Sequence, residues 1–158
     1  MPIGPQQGKL VERVIITHPD FINWSFTNLH GGFRWLLNHM QECIELFDEK
    51  PFSSEDCAGK VDGSPCTRPV EGMSLFSKSP RPAFWCSECN PLQLGASSNK
   101  LTMCCTYDDA LFHVRCYDGK RSEQRFLIRE MAKAKGLIGN VTDQKLLKFF
   151  YEDDFIPA

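Results

Sequence analysis

Cys57-Ala58-Gly59-Lys60-Val61-Asp62-Gly63-Ser64-Pro65-Cys66 and, after a spacer of 19 residues, Cys86-Ser87-Glu88-Cys89 form the stretch on which the reading of this chain turns. The tight turn from Cys86 to Cys89 can set two thiolates on one ion. The spacer is long enough for strands that return Cys57 and Cys66 to the same ion. Zinc takes tetrahedral thiolate ligands with Zn–S bonds of about 2.3 Å, so Cys57, Cys66, Cys86 and Cys89 are the expected ligands of a structural Zn2+. Two alternatives stay open: three of these cysteines completed by Cys104, Cys105 or a histidine, or cysteines buried as small hydrophobes without metal. Residues 52–99 are rich in Ser, Gly and Pro and show no sustained helical period, so they hold too few core residues to fold unaided. A structural zinc contributes on the order of 10 kcal/mol to such modules. A four-thiolate site is closed and activates no water, so no catalysis and no catalytic residue are expected.

Regular structure is expected on either side. In residues 1–51, Leu10-Val11 and Val14-Ile15-Ile16 make a short strand or helical turn. Pro19 then suits the first position of a helix, where its missing N–H costs nothing, and Asp20 suits the positive end of the helix dipole. His30-Gly31-Gly32 ends that helix, and Phe33, Leu36, Leu37, Met40, Ile44 and Phe47 recur at the spacing of a second, longer one. In residues 100–158, Thr106-Tyr107-Asp108-Asp109 carries a T-x-x-D capping pattern ahead of Ala110, Leu111, Val114 and Tyr117, which predicts a helix over 107–118. Ser122 can cap another helix, with Phe126, Leu127, Met131 and Ala134 on its apolar face and a stop at Gly136. Thr142 can cap a last one carrying Leu146, Leu147, Phe149 and Phe150. The expected fold is α+β, mostly α: a helical module (1–51), a metal-clamped hairpin insert (52–99) and a C-terminal helical cluster (100–158) that can share one core with the first segment.

Two resemblances follow from these residues. Phe84-Trp85-Cys86-Ser87-Glu88-Cys89-Asn90-Pro91 resembles the second knuckle of a zinc ribbon, an aromatic strand running into a cysteine turn. The spacing of Cys57 and Cys66 departs from the ribbon pattern, with eight intervening residues where two to four are usual. The N-terminal stretch, with Gly4, Gly8 and Lys9 and then Pro19, Phe21, Ile22 and Trp24, resembles the small domain appended to exonuclease X-type proteins of bacteria and phages. That resemblance implies a link to nucleic-acid processing. It departs at Pro5, Gln6 and Gln7, which stand where the family carries basic residues, and it brings no cluster of nuclease carboxylates. Without the resemblance, Gly4 and Gly8 suit a tight turn and Trp24 a core aromatic.

Charge narrows the function. The chain of 158 residues has 18 Lys plus Arg against 20 Asp plus Glu, so any nucleic-acid surface is a local patch and not a basic coat. Residues 115–135 hold seven basic and three acidic side chains, and Arg121, Arg125, Arg129 and Lys133 recur every four residues along one helix face suited to phosphates. A solvated face with intrahelical pairs is the alternative, and the acidic run Glu152-Asp153-Asp154 can screen the patch or bind a basic partner. Trp85, Phe84 and Phe76 are candidate stacking platforms for bases, or core. Cys43, Cys104, Cys105 and Cys116 are expected to be buried thiols, and His39 and His113 helix-surface or satisfied core groups. No stretch approaches the length of a membrane span, no secretory signal is visible, and eight cysteines then suit a reducing cytoplasm. The expectation is a cytoplasmic, zinc-binding accessory protein that contacts nucleic acid or a nucleic-acid-processing enzyme, with no small-molecule substrate. The alternative is a protein–protein adaptor or inhibitor of bacterial or phage origin that docks a partner without nucleic acid.

Overall fold

A computed structural model describes residues 1–2, 4–76, 82–90, 101–116 and 121–152, without the side chains of residues 75–76, 101–102 and 113–116. Phe76, His113, Arg115 and Cys116 are therefore outside the described side chains, and Tyr117, Asp118, Lys120, Asp153 and Asp154 are outside the described residues. The fold is α+β and mostly α, as the sequence predicts. Helices α1 (Val11–Thr17), α2 (Pro19–Asn28) and α3 (Arg34–Glu49) come first. They are followed by a two-residue-strand hairpin, β1 (Lys60–Val61) and β2 (Ser64–Pro65), and by strands β3 (Gly72–Phe76), β4 (Ala83–Trp85) and β5 (Leu101–Cys104). Helices α4 (Tyr107–Cys116), α5 (Arg121–Ala134) and α6 (Asp143–Tyr151) close the chain. No helix among the described residues is long and apolar enough to cross a membrane.

The short apolar run near the N-terminus is a helix, and it sits at the centre. Val14 and Ile15 of α1 are fully buried, with α2, α3, α5 and α6 packed around them. Pro19 leaves the carbonyl of Ile15 without its usual donor four residues on. The fully buried Tyr107 supplies one instead, its hydroxyl donating to the Ile15 oxygen at 2.9 Å, while its amide donates to Asp48 Oδ1 at 2.7 Å. Phe47 meets Tyr107 and Phe149 edge-on, with centroids 5.8 and 6.2 Å apart, so α3, α4 and α6 share one aromatic cluster.

Helix starts follow the sequence signals at Thr106 and Thr142, whereas Ser122, expected to cap α5, lies within that helix because Arg121 is already helical. Thr106 Oγ1 accepts from the amide of Asp109 at 3.2 Å and Asp109 Oδ2 accepts from the amide of Thr106 at 2.9 Å, a reciprocal capping box. Thr142 Oγ1 accepts from the amide of Lys145 at 3.2 Å. At the end of α5 the amides of Leu137 and Gly136 donate to the carbonyls of Ala132 and Lys133, the Schellman pattern. Two details of the apolar faces differ from expectation. Phe126 and Leu147 are exposed, because Leu127, Ile128 and Met131 fill the buried stripe of α5, and Leu146, Phe149 and Phe150 that of α6.

The sheet also differs. Strand β3 lies between β4 and β5, antiparallel to both, with Met73 opposite Phe84 on one side and Cys104 on the other. Leu101–Cys104 was expected to lie in an all-helical segment; it is instead the third strand of the sheet that carries the cysteine hairpin. Cys104 is buried there, as predicted, whereas Cys105 is exposed, because it follows the last paired residue of the strand.

Candidate metal centre and adjoining cationic cleft

Cys57, Cys66, Cys86 and Cys89 converge: all four are buried, and their sulfurs lie within 4.8 Å of one another. Cys66 Sγ and Cys86 Sγ are 3.9 Å apart. A tetrahedral ion with metal–sulfur bonds of about 2.3 Å has sulfur–sulfur edges of about 3.8 Å, so the cluster has the dimensions for one metal ion.

The long gap between the first two cysteines has a structural reason. Residues Lys60–Pro65 form a complete β-hairpin in which Val61 pairs with Ser64 and Lys60 with Pro65. Its turn is Asp62-Gly63, with φ of 50° and 84°, the pair of positive φ values and the Asp-Gly sequence of a type I′ turn. The hairpin closes on itself through the Cys66 amide, which donates to the Gly59 carbonyl at 3.0 Å, so Cys66 returns to the side of Cys57. The second pair is brought in by β3 and β4. The Ala58 amide donates to the Phe84 carbonyl at 2.8 Å, and the Glu71 carboxylate accepts from both the amide and the hydroxyl of Ser87, at 3.3 and 2.8 Å.

Backbone amides are aimed at the sulfurs. Gly59 and Cys86 amides donate to Cys57 Sγ at 3.4 and 3.3 Å, and the Cys89 amide donates to Cys86 Sγ at 3.4 Å. Such bonds favour thiolates over thiols. At Cys86, desolvation opposes ionisation, but hydrogen bonds from Cys89, Cys57 and Glu88 outweigh it and hold the thiol below its ordinary value. At Cys89, burial and the hydrogen bonds it shares with Cys86, Cys66 and Cys57 push the thiol up. The first thiolate in the cluster thus opposes the next, and a bound dication is what lets all four ionise together. Gly59 fits this cradle for want of a side chain: a Cβ there would stand 2.5 Å from Cys89 Cβ and closer still to its sulfur. Four thiolates filling a tetrahedron leave no position for water or substrate, so the arrangement can staple the hairpin to the sheet but cannot do Lewis-acid chemistry.

No family model, curated protein or solved structure matches this chain. The remaining candidate residues are therefore placed by geometry alone. Arg121 and Arg125 line a cleft of about 520 Å³ together with Gly4, His18, Phe21 and Trp24. Arg125 also lines an adjoining groove with Phe126, Arg129 and Lys133, so α5 presents all four predicted cations along one face. They are not equivalent. Arg125 donates Nε and Nη2 to the two oxygens of Asp20, at 3.0 and 3.1 Å, and Lys133 pairs with Glu130 at 2.5 Å. Arg121 and Arg129 are exposed and have no ion-pair partner among the described residues. His18, which lines this cleft, is held below its ordinary pKa by burial and then by Arg125 and Lys9.

The aromatic candidates change places. Phe84 is buried against Phe52, and Trp85 donates its indole N–H to Ser74 Oγ at 2.7 Å, so both serve packing. Trp24, expected in the core, is 47% exposed and stacks on Phe21 at 5.5 Å in the cleft wall, because Ile22 and Ser25 take the buried face of α2. Gly4 and Gly8 do form a tight turn, whose Gly4, Pro5 and Gln6 line the cleft: the Gly8 amide donates to the Met1 carbonyl and the Gln7 amide to that of Gly4. The periodicity of α2 contained this signal, since Ile22 and Ser25 are three residues apart on one face and Trp24 falls off it.

Proposed function

We propose that this chain is a non-catalytic, zinc-binding accessory protein of the cytoplasm that contacts nucleic acid or a nucleic-acid-processing enzyme, with nucleic acid the reading the geometry favours. Zn2+ is the metal that a closed set of four thiolates at these separations suits best, and its role here is to hold the β1–β2 hairpin on the sheet. The observation that carries the nucleic-acid reading is the cleft lined by both the exposed Trp24 ring and the Arg121 guanidinium, which has no ion-pair partner among the described residues. A ring for a base and a cation for the neighbouring phosphate are the two elements of single-strand contact. Arg129, one helical turn beyond Arg125, extends the phosphate track, with Phe126 exposed alongside. The N-terminal resemblance to the exonuclease X-type appended domain supports the same reading, because Gly4, Phe21 and Trp24 of that pattern all line the cleft.

The test is fluorescence anisotropy with labelled single-stranded and duplex DNA and RNA across a salt series. Arg125 is left intact, since it ties α5 to α2 through Asp20. Binding that weakens steeply with salt, and that Arg121→Glu with Arg129→Glu abolishes while the variant stays folded, supports the proposal. Trp24→Ala is expected to weaken single-strand binding by about ten-fold, in line with the ~1–3 kcal/mol of one base–aromatic stack. No binding to any of the four probes at low salt refutes it and leaves the adaptor reading.

A further inference from the structure

A second cluster of metal-ligating side chains, sharing no residue with the four cysteines, lies between α1 and α3. Glu12 of α1 is only 4% exposed, and His39 and Cys43 stand one turn apart on the facing side of α3. One ligand atom from each, oxygen, nitrogen and sulfur, falls within 4.8 Å of the other two. Tyr151, the last residue of α6, completes the surround: its hydroxyl donates to Glu12 Oε1 at 2.6 Å and lies 3.6 Å from Cys43 Sγ.

The carboxylate is the informative group. A buried carboxylate is costly unless a cation balances it. Among the described residues the only basic side chain paired with Glu12 is His39, whose Nε2 is 3.8 Å from Oε1. That separation is too long for a hydrogen bond. It is close to what an ion between them requires, since N, O and S ligands on a tetrahedral ion stand about 3.3–3.6 Å apart. The outer contacts are those of a metal site as well: Tyr151 orients the Glu12 carboxylate, and the Glu42 carboxylate lies 3.6 Å from His39 Nδ1.

We propose that Glu12, His39 and Cys43 form a second metal site, for a divalent transition ion such as Zn2+ or Co2+, with one coordination position open toward solvent. The mixed oxygen, nitrogen and sulfur set selects against Mg2+ and Ca2+, which take oxygen ligands. Binding requires the Cys43 thiol to release its proton to solvent as the metal–sulfur bond forms. His39 is half-buried, so water can reach the cluster past its ring. The site ties α1 to α3, with α6 held against it through Tyr151. It is independent of the nucleic-acid reading.

Cobalt titration of the chelator-stripped, reduced full chain tests this, with metal per chain counted by native mass spectrometry and thiolate-to-cobalt absorbance read in parallel. Two equivalents are expected for the wild type and one for His39→Ala, whose circular dichroism confirms the fold. Cys43→Ser removes one of five coordinating thiolates and is expected to lose about a fifth of the charge-transfer absorbance. Cys86→Ser damages the other centre and leaves this one filled, so failure of either site is read separately. Saturation of the wild type at one equivalent overturns the proposal, provided that Cys86→Ser abolishes that equivalent. Uptake of two equivalents by both His39→Ala and Cys43→Ser, or displacement of the second ion by excess Mg2+, overturns it too.

Discussion

Replacing Gly59 by Ala probes the four-cysteine centre without touching a ligand. The new Cβ would lie 2.5 Å from Cys89 Cβ, about 0.9 Å inside the 3.4 Å at which ordinary contact begins, and 3.4 Å from Cys57 Sγ. The backbone at Gly59 is not in the left-handed region, so the penalty is one of space and not of backbone conformation. There are two ways to relieve it. If Cys89 moves, its sulfur leaves the position that a metal–sulfur bond of about 2.3 Å requires. If Gly59 moves, its carbonyl carries the Cys66 amide with it, and a different ligand is displaced. Overpacking of this kind costs about 1–3 kcal/mol. At ~1.4 kcal/mol per decade, metal affinity should fall between about five-fold and about a hundred-fold. Competition against a chromogenic zinc chelator measures it. Gly32→Ala is the control, because no atom lies within 4 Å of its Cβ and its φ is unremarkable, and it should leave zinc affinity unchanged. Zinc binding by Gly59→Ala within two-fold of the wild type would refute the cradle.

Three further outcomes are expected. Tyr107→Phe leaves the Ile15 carbonyl, already deprived of a helical donor by Pro19, without a partner, and should cost about 1–3 kcal/mol in urea unfolding; a loss under ~0.3 kcal/mol would count against that account. Lys135 is buried, donates Nζ to the carbonyls of Asp48 and Lys50 at 3.1 and 2.6 Å, and sits 4.4 Å from the Phe52 ring centroid; burial lowers its pKa to about 8. The unfolded chain holds this proton up to about pH 10.4, so it binds more protons than the native state between pH 8 and 10.4, and native stability gains with pH across that window by up to about 3 kcal/mol. The stability of the wild type relative to Lys135→Met should therefore rise over that range, and a flat difference by chemical denaturation would show that the lysine is not desolvated. Thr142→Ala removes the cap of α6 and should cost about 1 kcal/mol, read as a shifted urea midpoint.

The local signals in the chain were legible because they act over a few residues. Pro19 opens α2, and Thr106 with Asp109 and Thr142 cap the helices they precede, each through its own backbone chemistry. The four cysteines were legible for the same reason in reverse: thiols at these spacings have few other uses in a segment too poor in apolar residues to fold alone. Leu101–Cys104 was not read as a strand, since four residues carry no period, and only the presence of β3 alongside gives them hydrogen-bond partners. Phe84 and Trp24 exchanged roles because exposure depends on what covers a face: Phe52 helps bury Phe84, while Trp24 stacks on Phe21 and stays 47% exposed.

Sequence alone thus determined the mostly helical α+β class, the starts of α2, α4 and α6, the four cysteines that converge and the stripe of cations on α5. Tertiary structure decided which of these cations is tied down, since Asp20 is 105 residues from Arg125 and claims it only once α2 packs on α5. It also decided that Glu12 meets His39 and Cys43 across two helices, because the burial of a carboxylate is a property of the neighbours that surround it and of no residue by itself.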